Sequence, residues 1–559
     1  MSQTVLNPPR QRQDPSAAGA TKRDTSKDGF KNKAELWVLT NLAPLWTTLQ
    51  KSPLEGAVNR LLINSGVNKT EPRPYRLSTK AAYTSWDTLT DRTYNTRSLP
   101  PAPQDDLPAI EDVAKLFERE DEIPCEKSTV LFAYVAQWFT DGFLRSERIK
   151  DHSGLRDITK NESTHEVDLA QLYGLTPQIT AMLRTPPSDG DGLLRSQFID
   201  GEVFPPFLCE RGVMKPEFTK VPGLRPLKFD DGQISDDQRN RMFAMGSDTS
   251  NVQLGYAMLN ILFLREHNRI ARELAEAYGR SSSWPADPAE RSDRLFGTAR
   301  NILTVLLIKV VIEEYINHIA PYRFQFKFDP MRFRNEPWNR PNWVAVEFNL
   351  LYRWHSLIPS EFVVAEQRLP LTATMYRMQL LIDHGLGQVF EDSSNQHAGR
   401  VGLRNTDEWL LKQTEVPSIG QGRRVQLDRY NAYREYCKFP RVERFEQITS
   451  DPVIREGLRE LYGDVDNIEF YVGLFAEDRR PNSVLPSMVG RLVGLHAFSQ
   501  LMTNPLVSPA IYEHPDTFTE VGRRTIATTT SLEQLLNRNL PPRSRRYEAK
   551  LTHHSWARK

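Results

Sequence analysis

The chain has 559 residues, of which 39% are apolar, and this is enough to bury one large core or several smaller ones. Its 72 lysines and arginines almost balance its 71 aspartates and glutamates, so the net charge of +1 gives no electrostatic basis for nucleic acid as the main partner. The three cysteines, Cys125, Cys209 and Cys437, are too few and too widely spaced for a disulfide framework or a cysteine metal site. They indicate a reducing compartment.

The first 33 residues are polar and lack the apolar core of a signal peptide, so we expect a disordered tail there. The longest apolar run, residues 302–312, contains Lys309 and is too short to span a bilayer. We therefore expect a protein that is cytoplasmic or attached to one face of a membrane, with no signal peptide and no transmembrane helix.

Residues 34–64 form an amphipathic segment of short apolar helical pieces interrupted by Pro44 and Pro53. Such pieces either pack on the protein core or form a membrane-touching mouth to a channel. The pattern favours core packing, because apolar helical faces mostly pack on protein, but it leaves both interpretations open.

Helical patterns dominate from residue 111 onward, and strand signals are few and short. The sequence therefore predicts a mainly α protein with one large body. The predicted helices are, in chain order, 129–145, 254–278 closed by Gly279, 293–319, and 342–357 ending near Pro359.

The last of these helices carries Tyr352 and His355, which are three residues apart. On a continuous helix they would share one face, with Cβ atoms about 5–6 Å apart. A neutral imidazole can ligate haem iron, and a tyrosine one turn away can become a phenoxyl radical. Spacing alone does not separate this hypothesis from two ordinary core residues, and it does not favour His355 over His318 or His496.

The segment NLLYRWHSLIP resembles the part of prostaglandin endoperoxide synthases (cyclooxygenases) that carries a radical tyrosine and the proximal haem histidine. Further segments resemble the same family in the same order, over about residues 35–540. They are YTSWDTLTDRTYNTRSLPPAP (83–103), FLREHNRIARELAEAYG (263–279), VVIEEYINHIAPYRFQFKFDP (310–330), PNSVLPSMVG (481–490) and TEVGRRTIATTTSLEQLL (519–536). The chain is identified as a member of the animal-type haem peroxidase superfamily, which also includes related fatty-acid (linoleate) dioxygenases.

The resemblance implies a role for each matching residue. The implied roles are a distal-side glutamine for Gln137, a channel-mouth tyrosine that holds a fatty-acid carboxylate for Tyr322, the radical for Tyr352, the proximal ligand of the haem iron for His355, and a channel hydroxyl for Thr530 or Ser531, with Ser531 preferred.

Two positions depart from the family pattern. Asp141 stands four residues after Gln137, where the family has a distal histidine. An unperturbed aspartate is ionised and a poor proton donor at neutral pH, so the resemblance predicts weak or no peroxidase activity, although Asp141 could act as a weaker base. The family's carboxylate-binding arginine has no counterpart near Asn64–Ser65, and either Arg60 or Lys69 could replace it.

The resemblance therefore implies a fatty-acid dioxygenase that uses haem b and makes hydroperoxides in oxylipin synthesis. A true cyclooxygenase, a haem peroxidase and a non-catalytic haem-binding or membrane-associated protein remain as alternatives. The expected partners are an unsaturated fatty acid and O₂, with no nucleic acid, and both peripheral membrane contact and a homodimer stay open. The implied domains are the 1–33 tail, the 34–64 helical segment, a haem peroxidase (cyclooxygenase-like) catalytic domain over 65–545, and a C-terminal tail over 546–559.

Overall fold

Helices form most of the secondary structure in the computed structural model, which describes residues 37–67, 94–146, 159–220, 223–279, 281–339 and 343–558. This confirms the mainly α prediction. The tail expected over residues 1–33, most of the 83–103 segment, Lys69 and Asn342 lie outside the described residues.

In the described ranges, the α-helices of six or more residues are α1 (Ala43–Gln50), α2 (Glu55–Val67), α3 (Ile110–Lys115), α4 (Val130–Asp141), α5 (Pro177–Leu183), α6 (Leu254–Tyr278), α7 (Pro288–Val310), α8 (Val346–Leu351), α9 (Gln379–Asn395), α10 (Val416–Arg424), α11 (Tyr430–Tyr436), α12 (Pro452–Tyr462), α13 (Phe470–Ala476), α14 (Ser487–Met502), α15 (Pro515–Thr528) and α16 (Leu532–Arg538). Shorter α-helical turns are Ala170–Tyr173, Pro216–Thr219, Asp236–Asn240, Asn317–Ile319, Leu371–Thr374, Glu408–Leu410 and Pro509–Tyr512. Two π-helical segments are Val311–Ile316 and Leu411–Glu415.

The strands form small antiparallel pairs at the edges of the helical body. They are β1 (Pro124–Thr129), β2 (Gln197–Ile199), β3 (Glu202–Phe204), β4 (Cys209–Glu210), β5 (Val213–Met214), β6 (Glu361–Val364), β7 (Gln367–Pro370) and β8 (His397–Gly399). Within the described residues each sheet has two strands, paired as β1–β8, β2–β3, β4–β5 and β6–β7.

The core is built around α6 and α7, which pack against each other, while α4 packs on α6 and α15 packs on α7. Helix α6 begins and ends where the sequence predicts, and the Gly279 amide donates to the Ala275 carbonyl (2.8 Å) as the helix ends. Helix α7 starts five residues earlier than predicted, because Asp287 caps it by accepting from the Glu290 amide (3.0 Å) and Pro288 occupies its first turn.

The buried helix around residues 302–312 carries one charge, on Lys309. Its Nζ donates to the carbonyls of Ile526 and Ala527, both at 2.9 Å, and so bonds α7 to the C-terminal end of α15. Pro288–Ile319 is long and apolar enough to cross a membrane by length and composition, but 83% of its most apolar window is buried inside the protein. That burial is what a core helix shows.

The segment over residues 34–64 has two different sides. Trp46 and Ile63 are buried, and the Trp46 ring packs edge-on against Phe324. On the other side, large apolar side chains are exposed to solvent: Trp37 (59%), Leu45 (43%), Leu54 (58%) and Leu61 (67%).

The C-terminal stretch, assigned to a tail over 546–559, packs against the body over its described part. The Thr129 amide donates to the Leu551 carbonyl (3.1 Å), and Ala549 and Leu551 are buried. The three cysteines are also buried and free.

Candidate active site

The helix that carries Tyr352 is much shorter than the sequence predicts, since α8 covers only Val346–Leu351. Before it, the Thr96 amide donates to the Val344 carbonyl (3.0 Å) and the Val346 amide donates to the Thr96 carbonyl (2.9 Å), which holds Ala345 in an extended bridge. After it, the Trp354 indole donates to the Leu351 carbonyl (2.6 Å), and a separate 3₁₀ turn begins at His355. The prediction that Tyr352 and His355 share one face of a continuous helix is therefore wrong.

Tyr352 lies in an aromatic cluster. Its ring stacks on Trp354 (centroids 4.6 Å apart) and meets Phe348 edge-on (5.2 Å). Its hydroxyl is buried, with Tyr315 on the π-helix as its neighbour. Burial raises the pKa of Tyr352, and the Tyr315 hydroxyl only partly offsets that rise, so Tyr352 is a neutral phenol at physiological pH.

His355 is oriented by a buried carboxylate. Its Nδ1 lies 3.1 Å from Glu415 Oε1, and Glu415 also accepts hydrogen bonds from Thr406 Oγ1 (3.0 Å) and the Tyr471 hydroxyl (2.6 Å). Because a carboxylate accepts hydrogen bonds, the proton of a neutral imidazole belongs on Nδ1, and Nε2 keeps a free lone pair. The His355 side chain remains 21% exposed, whereas Glu415 is 2% exposed.

Sequence reasoning missed Glu415. It lies 60 residues from His355, at the end of a π-helical segment, and no periodicity links the two positions. π-Helical turns are frequent at functional sites, but the sequence carries no reliable signal for them.

Helix α4 is mostly buried within the described residues. Gln137 and Asp141 are its only partly exposed residues, and their i, i+4 spacing places them on the same face. Thr129 caps the helix, its hydroxyl accepting from the Phe132 amide (3.4 Å). The two residues that the resemblance assigns to the distal side of a haem are thus the partly exposed residues of this helix.

Asp141 is held in a charged network. Its Oδ2 accepts from Arg145 (2.6 Å), Tyr256 (2.5 Å) and Thr249 (2.9 Å). Arg145 is 3% exposed and also donates to Asp248 (2.5 Å). Burial alone would lower the pKa of Arg145, but the charges of Asp141 and Asp248 outweigh it and raise that pKa. A carboxylate fixed in this way is a poor proton shuttle.

Tyr322 lines a cavity of about 140 Å³. Its walls come from the segment before residue 67, from the chain around residues 316–326, and from α14. Of the two cations proposed for the missing arginine, Arg60 does not line the cavity and pairs with Glu336 (2.6 Å), and Lys69 lies outside the described residues. Arg480, which the sequence did not suggest, does line it.

The structure does not bring Thr530 and Ser531 into this cavity. Ser531 caps α16 by accepting from the Gln534 amide (3.3 Å), and Thr530 is exposed and donates its amide hydrogen to Gln534 Oε1 (2.8 Å). The Ser531 hydroxyl therefore caps the helix, while Thr530 binds the Gln534 side chain. We leave them out of the binding site proposed below.

The Asp141 network yields a prediction about stability. Asp141→Asn keeps the shape of the side chain but removes the charge that faces Arg145, so we expect the free energy of unfolding to fall by about 1.5–3 kcal/mol, the usual worth of a hydrogen bond to a charged group. Urea unfolding followed by circular dichroism measures it.

The control is Asp293→Asn, because Asp293 pairs with Arg184 at 2.7 Å but is 65% exposed. An exposed pair is worth about 1 kcal/mol or less. Equal losses in the two variants would show that Asp141 is not held as described.

Comparison with known proteins shows the family of the chain and its fold. The animal haem peroxidase family profile matches residues 91–549. Prostaglandin G/H synthase 2 of Oryctolagus cuniculus is 31% identical over 520 residues, which cover 90% of this chain and 80% of the relative. The solved structure of Oryza sativa fatty acid alpha-dioxygenase has a TM-score of 0.65 at 18% identity and covers 92% of this chain and 95% of its own. The structure of peroxidase A from Dictyostelium discoideum has a TM-score of 0.63 at 17% identity, and the match covers 85% of this chain and 99% of that structure. The last two share the fold, and the chain belongs to the animal haem peroxidase family.

Proposed function

We propose that the protein is a haem-dependent fatty-acid dioxygenase that reacts through a radical on Tyr352. The observation that carries the proposal is a buried neutral phenol three residues from an imidazole whose Nε2 is left free by Glu415. The identity to prostaglandin G/H synthase 2 supports it, as does the fold shared with a fatty acid alpha-dioxygenase.

The residues present fit the haem that the family binds. His355 offers Nε2 as an iron ligand, with Nδ1 held by Glu415, which is the usual arrangement for a metal-binding imidazole. Gln137 is one of the two partly exposed residues of α4 among the described residues. We propose haem b, with His355 ligating the iron. When bound and oxidised by a hydroperoxide, the haem would supply the oxidising equivalent that removes one electron from Tyr352.

The chemistry then belongs to Tyr352. Its phenolic proton leaves with the electron, because burial disfavours a charged phenolate. The Tyr352 oxygen takes a hydrogen atom from an allylic or bis-allylic carbon of the fatty acid, which re-forms the O–H bond. O₂ adds to the carbon radical, and the resulting peroxyl radical takes the hydrogen atom back from Tyr352. The products are a fatty-acid hydroperoxide and a regenerated tyrosyl radical.

A second candidate is a true cyclooxygenase, which the identity to prostaglandin G/H synthase 2 favours. It would use the same Tyr352 radical but add two O₂ molecules to one chain. Efficient reduction of the hydroperoxide needs a mobile proton on the distal side, and Asp141 is fixed to Arg145. We therefore expect the protein to reduce hydroperoxides more slowly than it oxygenates fatty acids.

We further propose peripheral membrane contact through the exposed apolar side chains before residue 67. Trp37, Leu54 and Leu61 belong to the segment that supplies Leu39 and Leu62 to the cavity wall, so a lipid surface there would deliver fatty acid to the cavity. Leu61→Glu should reduce co-sedimentation with phosphatidylcholine vesicles, while Val453→Glu, at another exposed apolar residue on α12, should not. Equal binding by both variants would refute this contact.

Product analysis tests the proposed function. Haem-loaded protein, given oleate, linoleate or arachidonate in air, should form hydroperoxides that mass spectrometry detects before and after chemical reduction. We expect mainly hydroperoxides carrying one O₂, whereas an arachidonate product with two O₂ would establish the cyclooxygenase alternative. Mostly alcohols would show that Asp141 does not limit peroxidase turnover.

Tyr352→Phe is the matching catalytic variant. It removes the O–H bond and keeps the ring, so oxygen uptake with linoleate should fall to background while the haem spectrum persists. Tyr512→Phe deletes a phenolic oxygen elsewhere in the chain and should keep wild-type uptake. If the Tyr352→Phe variant still consumed oxygen with linoleate, the assignment of the radical to Tyr352 would be wrong.

His355 and Glu415 yield a graded prediction. His355→Ala should lose the Soret band, whereas Glu415→Gln should keep it but bind haem more weakly by about 10–100-fold, the usual effect of losing a hydrogen-bond partner of a metal ligand. Titration of apoprotein with haem measures both. Glu408→Gln, at an exposed carboxylate paired with Lys412, is the control. A normal haem affinity in His355→Ala would disprove the ligand assignment.

A further inference from the structure

Arg480 brings a positive charge to the wall of the cavity that Tyr322 lines. Most of the other wall residues are apolar, among them Ile63, Ile319 and Phe498. The Arg480 guanidinium also lies 6.0 Å from the centre of the Phe439 ring, which is part of the same wall. The cavity thus combines a mostly apolar wall with a cation and a phenol.

No described acidic residue forms an ion pair that would balance the charge of Arg480. Within the described residues Arg480 forms no ion pair, and the acid that influences it most is Glu477. That carboxylate already accepts from Arg434 (2.8 Å), from the Met488 amide (2.7 Å) and from the Tyr430 hydroxyl. Burial lowers the pKa of Arg480, and Tyr322 and Glu477 only partly oppose this.

A half-buried guanidinium without a carboxylate is unfavourable unless something else pairs with it. Its planar fork of donors matches a carboxylate, and an added phenolic O–H can share the same anion. A fatty acid supplies both the carboxylate and an apolar chain that suits the rest of the wall.

The cavity wall is also connected to the proposed radical. Ile316 lines the cavity and follows Tyr315, the neighbour of Tyr352. On α14, Leu495 lines the cavity and precedes His496, whose ring stacks at 4.8 Å on Phe348, which in turn contacts Tyr352. A chain anchored at Arg480 would therefore lie along elements that also border Tyr352.

We propose that Arg480 is the cation that binds the substrate carboxylate, with Tyr322 donating a second hydrogen bond to it. Arg480 replaces, from a different part of the chain, the arginine that is missing near Asn64–Ser65. This inference rests on the proposed function, since it names the residue that selects free fatty acids over their esters.

The test measures binding separately from turnover. Haem-loaded wild type, Arg480→Gln and Arg480→Lys are titrated by calorimetry with linoleate and with methyl linoleate, without O₂, so that no reaction occurs. Arg60→Gln removes an arginine charge outside the cavity and is the matched control. Arg491→Gln tests the second arginine of the wall. Oxygen uptake in air then gives KM and kcat for the same variants.

We expect Arg480→Gln to weaken linoleate binding and raise its KM by about tenfold or more, with little change in kcat, because one charged hydrogen-bond pair is lost. Binding of methyl linoleate should stay the same, and Arg480→Lys should recover part of the affinity. A merely structural role for Arg480 would weaken acid and ester alike.

Unchanged linoleate affinity in Arg480→Gln overturns the proposal, as does a larger loss in Arg491→Gln. If wild type binds linoleate in an Arg480-dependent way but consumes no O₂, the proposed dioxygenase function fails while the carboxylate site stands. If wild type oxygenates linoleate and Arg480→Gln has the wild-type KM, the function stands and the carboxylate site fails.

Discussion

The hydrogen bond between His355 Nδ1 and Glu415 Oε1 is the interaction on which the proposed chemistry depends. An imidazole in a short 3₁₀ turn has no helix to fix its ring, so its orientation must come from a partner. Glu415 is suited to this because it is buried and because Thr406 and Tyr471 hold its two oxygens. The carboxylate fixes the orientation of the imidazole ring and leaves Nε2 available to a metal.

Helix α8 ends before this turn, and the non-helical residues between them also position the aromatic cluster around Tyr352. Residues 352–354 leave the helix, which places the Trp354 ring against Tyr352 and its indole N–H on the Leu351 carbonyl. The Tyr352 hydroxyl is buried, and this burial raises its pKa. A buried phenol can give up an electron only together with its proton, which suits hydrogen-atom transfer.

The sequence predicts local features well and tertiary ones poorly. Helix α6 was predicted at its observed ends because a long amphipathic pattern stops at Gly279. The prediction of a continuous helix over 342–357 was wrong because contacts with distant Thr96 and with the Trp354 side chain override local propensity. Glu415 and Arg480 could not be found from spacing, since each acts on a partner more than 50 residues away.

Family motifs predict roles for Tyr352, His355 and Gln137, but they carry less information for hydroxyl residues. A serine or threonine before a helix is common as a cap, and Ser531 has that role at the start of α16. The channel hydroxyl was therefore assigned from a short match that a capping pattern produces equally well. The cavity is instead lined by α14, whose residues 487–498 belong to another part of the chain.

Arg145 and Arg480 show how the same residue type can serve stability or binding. Arg145 is buried, and Asp141 and Asp248 compensate its charge, so their attraction raises its pKa. Arg480 has no comparable acid within the described residues, its pKa is lowered, and it faces a cavity. A compensated charge offers nothing to a ligand, because an incoming anion would have to displace an existing partner. An uncompensated one gains from any anion that reaches it, so Arg480, and not Arg145, is where this protein is organised to receive a carboxylate.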